Sequence, residues 1–307
     1  MISILMATYN GEEYISGQID SLLSQTFSDF TIWISDDAST DRTWDILKAY
    51  SERNPEKIKI SQRKENSGGA KHNFFEMMLS VKDEYIMLCD QDDVWLPQKI
   101  EKTLEAVRQM EMKFGTNMPI LVHSDLVVTD QDLCVISDSY LKMAKADSID
   151  SVKQMVLRNN VAGCTTMYNH ALATLIKEKP KSFVMHDCWL AQVAFCFGKI
   201  ACLPHSQILY RQHGGNVLGA RSAYGLKHKL YKLTHGNETK ETLFSAYRQA
   251  GEFLRIYGDE LAFEQKKVLM TYAALPSMGK WDRIKVMKKE GLFRKGLMRT
   301  FSQVVFG

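Results

Sequence analysis

Residues 85–97 read YIMLCDQDDVWLP. Five apolar residues, Tyr85–Cys89, form a run short enough for a buried strand, and it passes directly into Asp90, Asp92 and Asp93. Pro97 then stands where a helix can begin, because the N–H that proline lacks would be unpaired in a first turn anyway. Ile100, Leu104, Val107 and Met110 mark that helix's buried face. A strand that ends in carboxylates and hands over to a helix is one unit of an α/β sheet, a fold that gathers ligands at the carboxyl ends of its strands.

The pattern repeats outward from this stretch. Ile2–Thr8 reads as a buried strand, and Ile15, Ile19, Leu22 and Leu23 give the stripe of a helix starting near Glu12. Phe30–Ser35 is the next strand, with Ser39 and Asp41 as caps for a helix carrying Trp44 and Leu47. Lys57–Ser61 alternates like a half-exposed strand, Ala70–Val81 is helical, and Ile120–His123 is a further strand. Residues 131–220 are less regular, with helices expected at Ser148–Arg158, His170–Lys177 and Asp187–Gly198. Beyond about Ala220 the pattern is helical and basic. The alternation predicts a mainly parallel sheet covered by helices.

Two acidic clusters follow strands: Asp36-Asp37-Ala38-Ser39-Thr40-Asp41, and Asp90-Gln91-Asp92-Asp93. Neighbouring parallel strands would bring both to one crevice. Helix capping accounts for Ser39 or Asp41. It accounts poorly for three carboxylates within four residues, which repel unless a cation compensates them. That spacing suits Mg²⁺ or Mn²⁺, ions that complete their shells with water and phosphate oxygens. Neither G-x-x-x-x-G-K-[ST] nor G-x-G-x-x-G is present for phosphate binding, and Asn66 to Ala70 is only a glycine-rich helix opening.

These residues resemble the family-2 inverting glycosyltransferases of GT-A fold. The resemblance runs through Ala7 to Asn10, Asp36 to Asp41, Asn66 to Asn73, Asp90 to Pro97, His186-Asp187 and Arg211 to Asn216, and covers about residues 1–220. The form CDQDDVWLP followed by YRQHGGN looks most like a bacterial rhamnosyltransferase branch. The resemblance implies a nucleotide-sugar half at about 1–125, an acceptor half at about 126–220 and a basic helical region at 221–307. It implies that Thr8, Tyr9, Asp36, Asp37, Asn66, Asp90 and Arg211 bind the nucleotide sugar, with Asp37 accepting the N3–H of uracil or thymine. Asp92 and His213 would hold the metal, Asn216 would lie near the diphosphate, and Asp187 would be the general base. Trp95, Gly163 and His186 would line the acceptor or sugar pocket. His186 stands where the family more often has Glu. The expected reaction moves a sugar, L-rhamnose from dTDP-rhamnose first and a UDP-hexose second, to a glycan or lipid-linked glycan in cell-surface polysaccharide synthesis.

Composition sets limits on rival readings. The chain has 307 residues, 45% hydrophobic and 24% charged, with a net charge of +3. Residues 1–220 carry 22 Lys and Arg against 28 Asp and Glu, whereas residues 221–307 carry 17 against 8. The basic region, with Trp281, Ile284, Leu292, Phe293 and Phe301 among its Lys and Arg, fits a solvated bundle, an anionic membrane surface or a homodimer contact. No apolar run approaches the roughly 20 residues of a spanning helix. The N-terminus lacks a signal-peptide pattern. Six cysteines without a C-x-x-C pair read as reduced core residues. A cytoplasmic enzyme peripheral to the inner membrane face is therefore expected. A sugar-1-phosphate nucleotidyltransferase would carry a glycine-rich basic loop where Tyr9 to Glu13 is acidic. Asp92 and Asp187 are both present, which argues against an inactive scaffold, and no exposed basic aromatic sheet suggests nucleic acid.

Overall fold

The computed structural model describes residues 1–144, 146, 149–214, 236–294 and 297–306. Gly215, Asn216 and the basic stretch Leu226–Leu233 lie outside the described residues. The first half alternates as expected: β1 (Ile2–Thr8), α1 (Ile15–Leu23), β2 (Phe30–Asp36), α2 (Thr43–Arg53), β3 (Ile58–Gln62), α3 (Ala70–Ser80), β4 (Tyr85–Cys89), β5 (Val94–Trp95), α4 (Lys99–Phe114) and β6 (Ile120–Ser124). Pro97 does not open α4. The helix begins at Lys99, and the carbonyl of Pro97 instead accepts the Thr26 N–H at 2.9 Å.

Then follow β7 (Val127–Thr129), β8 (Val135–Ser137), α5 (Tyr140–Ala144), α6 (Val152–Leu157), β9 (Met167–Asn169), α7 (His170–Leu175), α8 (His186–Phe197), β10 (Lys199–Leu203) and β11 (Ile208–Arg211). Ser151 caps α6, its hydroxyl accepting the Gln154 N–H. The expected helix from Ser148 is thus shorter. The C-terminal helices are α9 (Gly236–Tyr257), α10 (Phe263–Ala274), α11 (Lys280–Glu290) and α12 (Leu297–Phe306).

Seven strands form one sheet in the order β10-β6-β9-β4-β1-β2-β3. It is parallel except for β9, which runs antiparallel to both β4 and β6. Because β9 and β10 belong to this sheet, the chain beyond residue 125 completes the same layer. Side chains alternate across it. Leu5, Ala7, Ile86 and Leu88 pack under α3, α8 and α9, while Ile4, Met6, Met87 and Cys89 pack under α1 and α4. Helices therefore cover both faces, the mixed α/β arrangement of the GT-A fold.

The basic C-terminal region joins this core. Leu243, Tyr247, Phe253 and Tyr257 of α9 are buried with Trp189 of α8 and Phe75 of α3. Trp189 meets Phe253 edge-on at 5.3 Å and Phe75 at 6.1 Å. Each such pair contributes about 0.5–1.5 kcal/mol beyond its buried area. Leu292 is also buried, whereas Trp281 and Phe301 are exposed. Cys89 and Cys164 are buried and Cys196 packs partly buried against the core, whereas Cys134 and Cys202 are exposed.

Candidate active site

Strand register brings the acidic clusters together. Thr8 pairs with Asp36 across β1 and β2, and Met6 with Cys89 across β1 and β4, so the three carboxyl ends lie level. A second sheet, β5-β11-β7-β8, carries Arg211 and His213 back to the acidic loop, since β11 pairs antiparallel with β5.

The second cluster is built against the end of β11. His213 Nε2 stands 2.7 Å from Asp92 Oδ2. Tyr14 lies against His213 with ring centroids 4.5 Å apart, and the Arg211 guanidinium lies over the same Tyr14 ring, 4.8 Å from its centroid. Arg211 braces the loop: its backbone N–H donates to Asp93, its Nε to the Asp92 carbonyl and its Nη1 to the Gln131 carbonyl. The guanidinium expected at the diphosphate is thus engaged with main chain. Burial, then the charges of Asp92 and Asp187, push the Asp90 carboxyl up to about 7. Burial, Asp92 and Asp90 likewise raise Asp93.

Two groupings bear on a cation. Asp90, Asp93 and Cys164 present ligand atoms within 4.8 Å of one another. Burial raises the Cys164 thiol well above its ordinary value, which keeps it protonated. The buried Lys99 already faces this trio, within the field of the Asp93 carboxylate, with Trp95 4.5 Å from its Nζ. Asp92 and His213 fit a metal better. Their 2.7 Å separation is close to the roughly 3 Å edge of a coordination shell with bonds of about 2.1 Å. A divalent ion there would also relieve the excess negative charge that raises Asp90.

The first cluster is more enclosed. Asp36 is fully buried and accepts from Thr8 Oγ1, Ser39 N, Ser39 Oγ and Gln62 Nε2. Thr8 and Asp36, expected at the nucleotide, therefore satisfy each other and fix their own loop. Asp37 accepts from Ser67 N at 2.7 Å and Ser67 Oγ at 2.8 Å, with Arg63 Nε at 3.4 Å. Asn66 shapes the turn that delivers Ser67, donating to the Asp37 carbonyl and accepting from Gly68 N. Gly68 and Gly69 take φ of 92° and 118°, conformations that favour glycine. Tyr9 is exposed. Its backbone is clamped by Gln91, which accepts from the Tyr9 N–H and donates to the Tyr9 carbonyl.

Asp187 sits in the first turn of α8, where the helix terminus favours a negative charge. Its Oδ1 accepts from Cys188 N at 2.6 Å and its Oδ2 from Gly163 N at 3.2 Å. Gly163 is required by this closeness: a Cβ there would lie 2.9 Å from His186 Nε2. His186 is buried, stacked on Phe74 at 4.2 Å, and burial holds its pKa down. Neither of its ring nitrogens has a protein partner. Trp95, expected at the acceptor or sugar pocket, is 2% exposed and packs in the core.

Gln91, Tyr14, Lys99 and Gln249 escaped the sequence reading. None of the four carries a local sequence signal; Gly11 lies so close to Gln91 that a Cβ there would have no room. Gln249 holds the segment around Asp187: its Oε1 accepts from Val184 N at 2.8 Å and its Nε2 donates to Gln192 Oε1 at 2.7 Å.

An uncharacterized glycosyltransferase of Nostoc sp. is 29% identical over 224 residues, covering 70% of this chain and 66% of that protein. The chain thus spans about two thirds of that relative's length. The dTDP-rhamnosyl transferase RfbG of Shigella flexneri is 28% identical over 242 residues, 73% of this chain and 77% of RfbG. The structure of the mannosyltransferase PcManGT from Pyrobaculum calidifontis, in complex with GDP-Man and Mn²⁺, superposes with a TM-score of 0.56. That match covers 99% of this chain and 83% of PcManGT at 13% identity, a likeness of fold. The family described as Glycosyl transferase family 2 matches residues 3–114, so the chain carries a family 2 glycosyl transferase domain on the GT-A fold.

Proposed function

We propose that the chain is an inverting, metal-assisted glycosyltransferase that moves a sugar from a thymidine or uridine diphosphate donor to a glycan hydroxyl. The observation that carries this reading is electrostatic. Asp187, in the first turn of α8, helps raise Asp90 just after β4, so a would-be base and the acidic loop share one field. General bases and ligand carboxylates are characteristically brought together in this way.

Each group has a task in the reaction. Asp37 accepts the imide N–H of the base, a bond that cytosine, lacking that proton, cannot supply. Asp92 and His213 would hold Mn²⁺ or Mg²⁺, which when bound supplies Lewis-acid stabilisation of the departing diphosphate. Gln91 and Arg211 fix the loop that presents Asp92. Asp187 takes the acceptor proton as the hydroxyl attacks the anomeric carbon from the face opposite the leaving group. Its hydrogen bonds from Gly163 and Cys188 hold it aimed.

RfbG, a dTDP-rhamnosyl transferase by name, favours L-rhamnose as the sugar, and a UDP-hexose is the second reading because Asp37 treats thymine and uracil alike. The exposed basic helices suit a lipid-linked acceptor at the cytoplasmic face of a membrane. A homodimer is an alternative use of that surface. Among the described residues no helix is long and apolar enough to cross a membrane. The test is transfer from a panel of sugar nucleotides, with the anomeric configuration of the product determined by NMR. Asp187→Asn is expected to lower kcat by roughly 10²–10⁴ with donor affinity retained. A product that retains the donor's configuration would overturn the mechanism.

A further inference from the structure

Lys99 is the first residue of α4 and is wholly buried. That position is doubly unfavourable for an ammonium. The N-terminus of a helix repels a cation, and burial strips the charge of its water. Burial pulls Lys99 down to about 8, so it still carries its charge at neutral pH. Its place is fixed by the backbone: its N–H donates to the Leu96 carbonyl at 3.0 Å, and its own carbonyl accepts from Thr103 Oγ1 at 2.7 Å. The Nζ lies 4.5 Å from the centroid of the Trp95 ring and has no hydrogen-bond partner among the described residues. A buried cation so placed calls for a compensating group.

Asp93 is that group. Its Oδ1 accepts the Arg211 N–H at 3.1 Å, while its Oδ2 is buried with no partner among the described residues. An ammonium only donates and a carboxylate only accepts, so the two unmet atoms match in chemistry. Asp93 is the carboxylate whose charge acts on Lys99. The other titratable groups acting on it are Cys164 and Cys89, thiols that burial keeps protonated. No direct hydrogen bond joins Lys99 to Asp93. Their attraction acts across a dry interior, where charges are screened far less than in water.

The pair also bears on the site. Asp93 holds β11 through Arg211, and β11 leads to His213, which meets Asp92. A divalent ion balances two of the three carboxylates of this loop, and Lys99 can balance the third. We propose that Lys99 is the internal counter-ion of the acidic loop, a positioning residue whose charge offsets Asp93 so that Asp93 can hold β11, and with it His213, against Asp92. The link to a metal rests on the reading of Asp92 and His213 as its ligands, while the pairing of Lys99 with Asp93 rests on the two buried atoms alone.

The test is a double-mutant cycle on the full chain: Lys99→Met, Asp93→Asn and both together. In thermal melts without metal, each single substitution leaves one buried charge alone and should lower the midpoint by about 5–10 °C. The double variant should regain at least about half of the larger loss. In calorimetric titration of Mn²⁺ with UDP present, Asp93→Asn should weaken binding about tenfold, because Lys99 is left to repel the ion. Adding Lys99→Met should restore the affinity to within about threefold of the parent chain. A packing role for Lys99 would give no such rescue. A double variant no more stable than the worse single would overturn the pairing. Mn²⁺ affinity that stays low in the double, or that Asp93→Asn leaves unchanged, would overturn the positioning role. If the parent chain with UDP binds no Mn²⁺, the metal reading fails, and the melts alone decide whether Lys99 and Asp93 are a pair.

Discussion

The side-chain amides of Gln192 and Gln249 meet at 2.7 Å, and Gln249 turns its oxygen to the Val184 N–H at 2.8 Å. Val184 and Gln192 lie on either side of Asp187 in the chain, so a residue of the C-terminal helix α9 spans the segment that carries the proposed base. The same helix anchors that segment again through Glu252, which accepts from Lys181 N. Region 236–257 is therefore part of the framework of the site.

Gln249→Met should keep the volume and remove both bonds, leaving the Val184 N–H without its acceptor. A stability loss of about 1–3 kcal/mol is expected. If the clamp positions Asp187, kcat should fall with donor KM unchanged. Arg255→Ala serves as control on the same helix, because it removes the ion pairs of a half-exposed guanidinium, to Glu252 within α9 and to Glu178 outside it. Equal effects of the two substitutions on kcat, measured well below both melting temperatures, would reduce Gln249 to a packing residue.

Asp92 and His213 make the second prediction. Asp92→Asn preserves shape and removes charge, so transfer should fall steeply, metal catalysis being worth several kcal/mol. His213→Ala should weaken Mn²⁺ binding, read by calorimetry in the presence of UDP. Undiminished turnover in excess chelator would remove the metal from the mechanism.

Much of this fold can be read from residue order, because buried strands and amphipathic helices declare themselves by period. Tyr85–Cys89 and Ile2–Thr8 match their strands residue for residue. What local pattern does not carry is the partner of each element. β9 is three residues long, too short for any periodicity, yet it inserts antiparallel at the centre of the sheet. The site divides in the same way. Asp37, Asp90 and Asp92 stand out as carboxylates after strands and Asp187 and His213 enter through the family resemblance, while the hydrogen bonds of Thr8, Asp36 and Arg211 hold their own loops. Trp95 illustrates the difficulty, since an aromatic beside carboxylates reads alike in sequence whether it lines a pocket or lies under Lys99. Gln249 could not have been read, as its partners are 57 and 65 residues away.

Asp37 supplies a selectivity prediction. Its carboxylate is already approached by Ser67 and Arg63, so a nucleobase must use the remaining lone pairs or displace the Ser67 hydroxyl. Asp37→Ala should weaken UDP binding by about 1–3 kcal/mol, the range for a hydrogen bond to a charged group whose loss leaves its partner unmet. Ser67→Ala, which removes one competitor, should leave UDP affinity equal or tighter. GDP binding as well as UDP to the parent chain would refute the base assignment.

Glu76 gives a pH dependence. It is only partly buried, and although burial opposes the charge, Lys179 and Arg63 together hold its carboxyl below the ordinary value. A folded-state pKa that is depressed stabilises the fold above the unfolded value of about 4.3, and that gain is lost as pH falls through the folded value. Glu76→Gln should therefore cost at most about 1 kcal/mol at neutral pH, because the partners are partly solvated. The gap between the two chains in thermal melts should close by about pH 3. A gap that persists unchanged at acid pH would show that packing, not charge, sets the difference.

The last prediction concerns α11. Trp281 is 75% exposed, and Lys280, Lys285, Lys288 and Lys289 are exposed with it, while Met287 and Leu292 are buried. Positions 281, 285 and 288 recur at helical spacing, which places Trp281 with two lysines on one side of the helix. A basic face with a projecting indole fits an anionic lipid surface, where each nearby lysine contributes about 1 kcal/mol. Truncation near Ala220 is the wrong control, since it would remove Tyr247, Phe253 and Tyr257 from the core. The informative chain is the full one carrying Lys285→Glu and Lys288→Glu. It should bind vesicles of phosphatidylglycerol at least about tenfold more weakly than the parent chain. Parent binding should itself fade as salt shortens the Debye length from about 10 Å at 0.1 M to about 3 Å at 1 M. Trp281→Ala should weaken it further without altering that salt dependence. If the parent chain sediments with neither anionic nor neutral vesicles at low salt, this face does not meet a membrane, and its exposed indole must be covered by a second copy of the chain or remain in water.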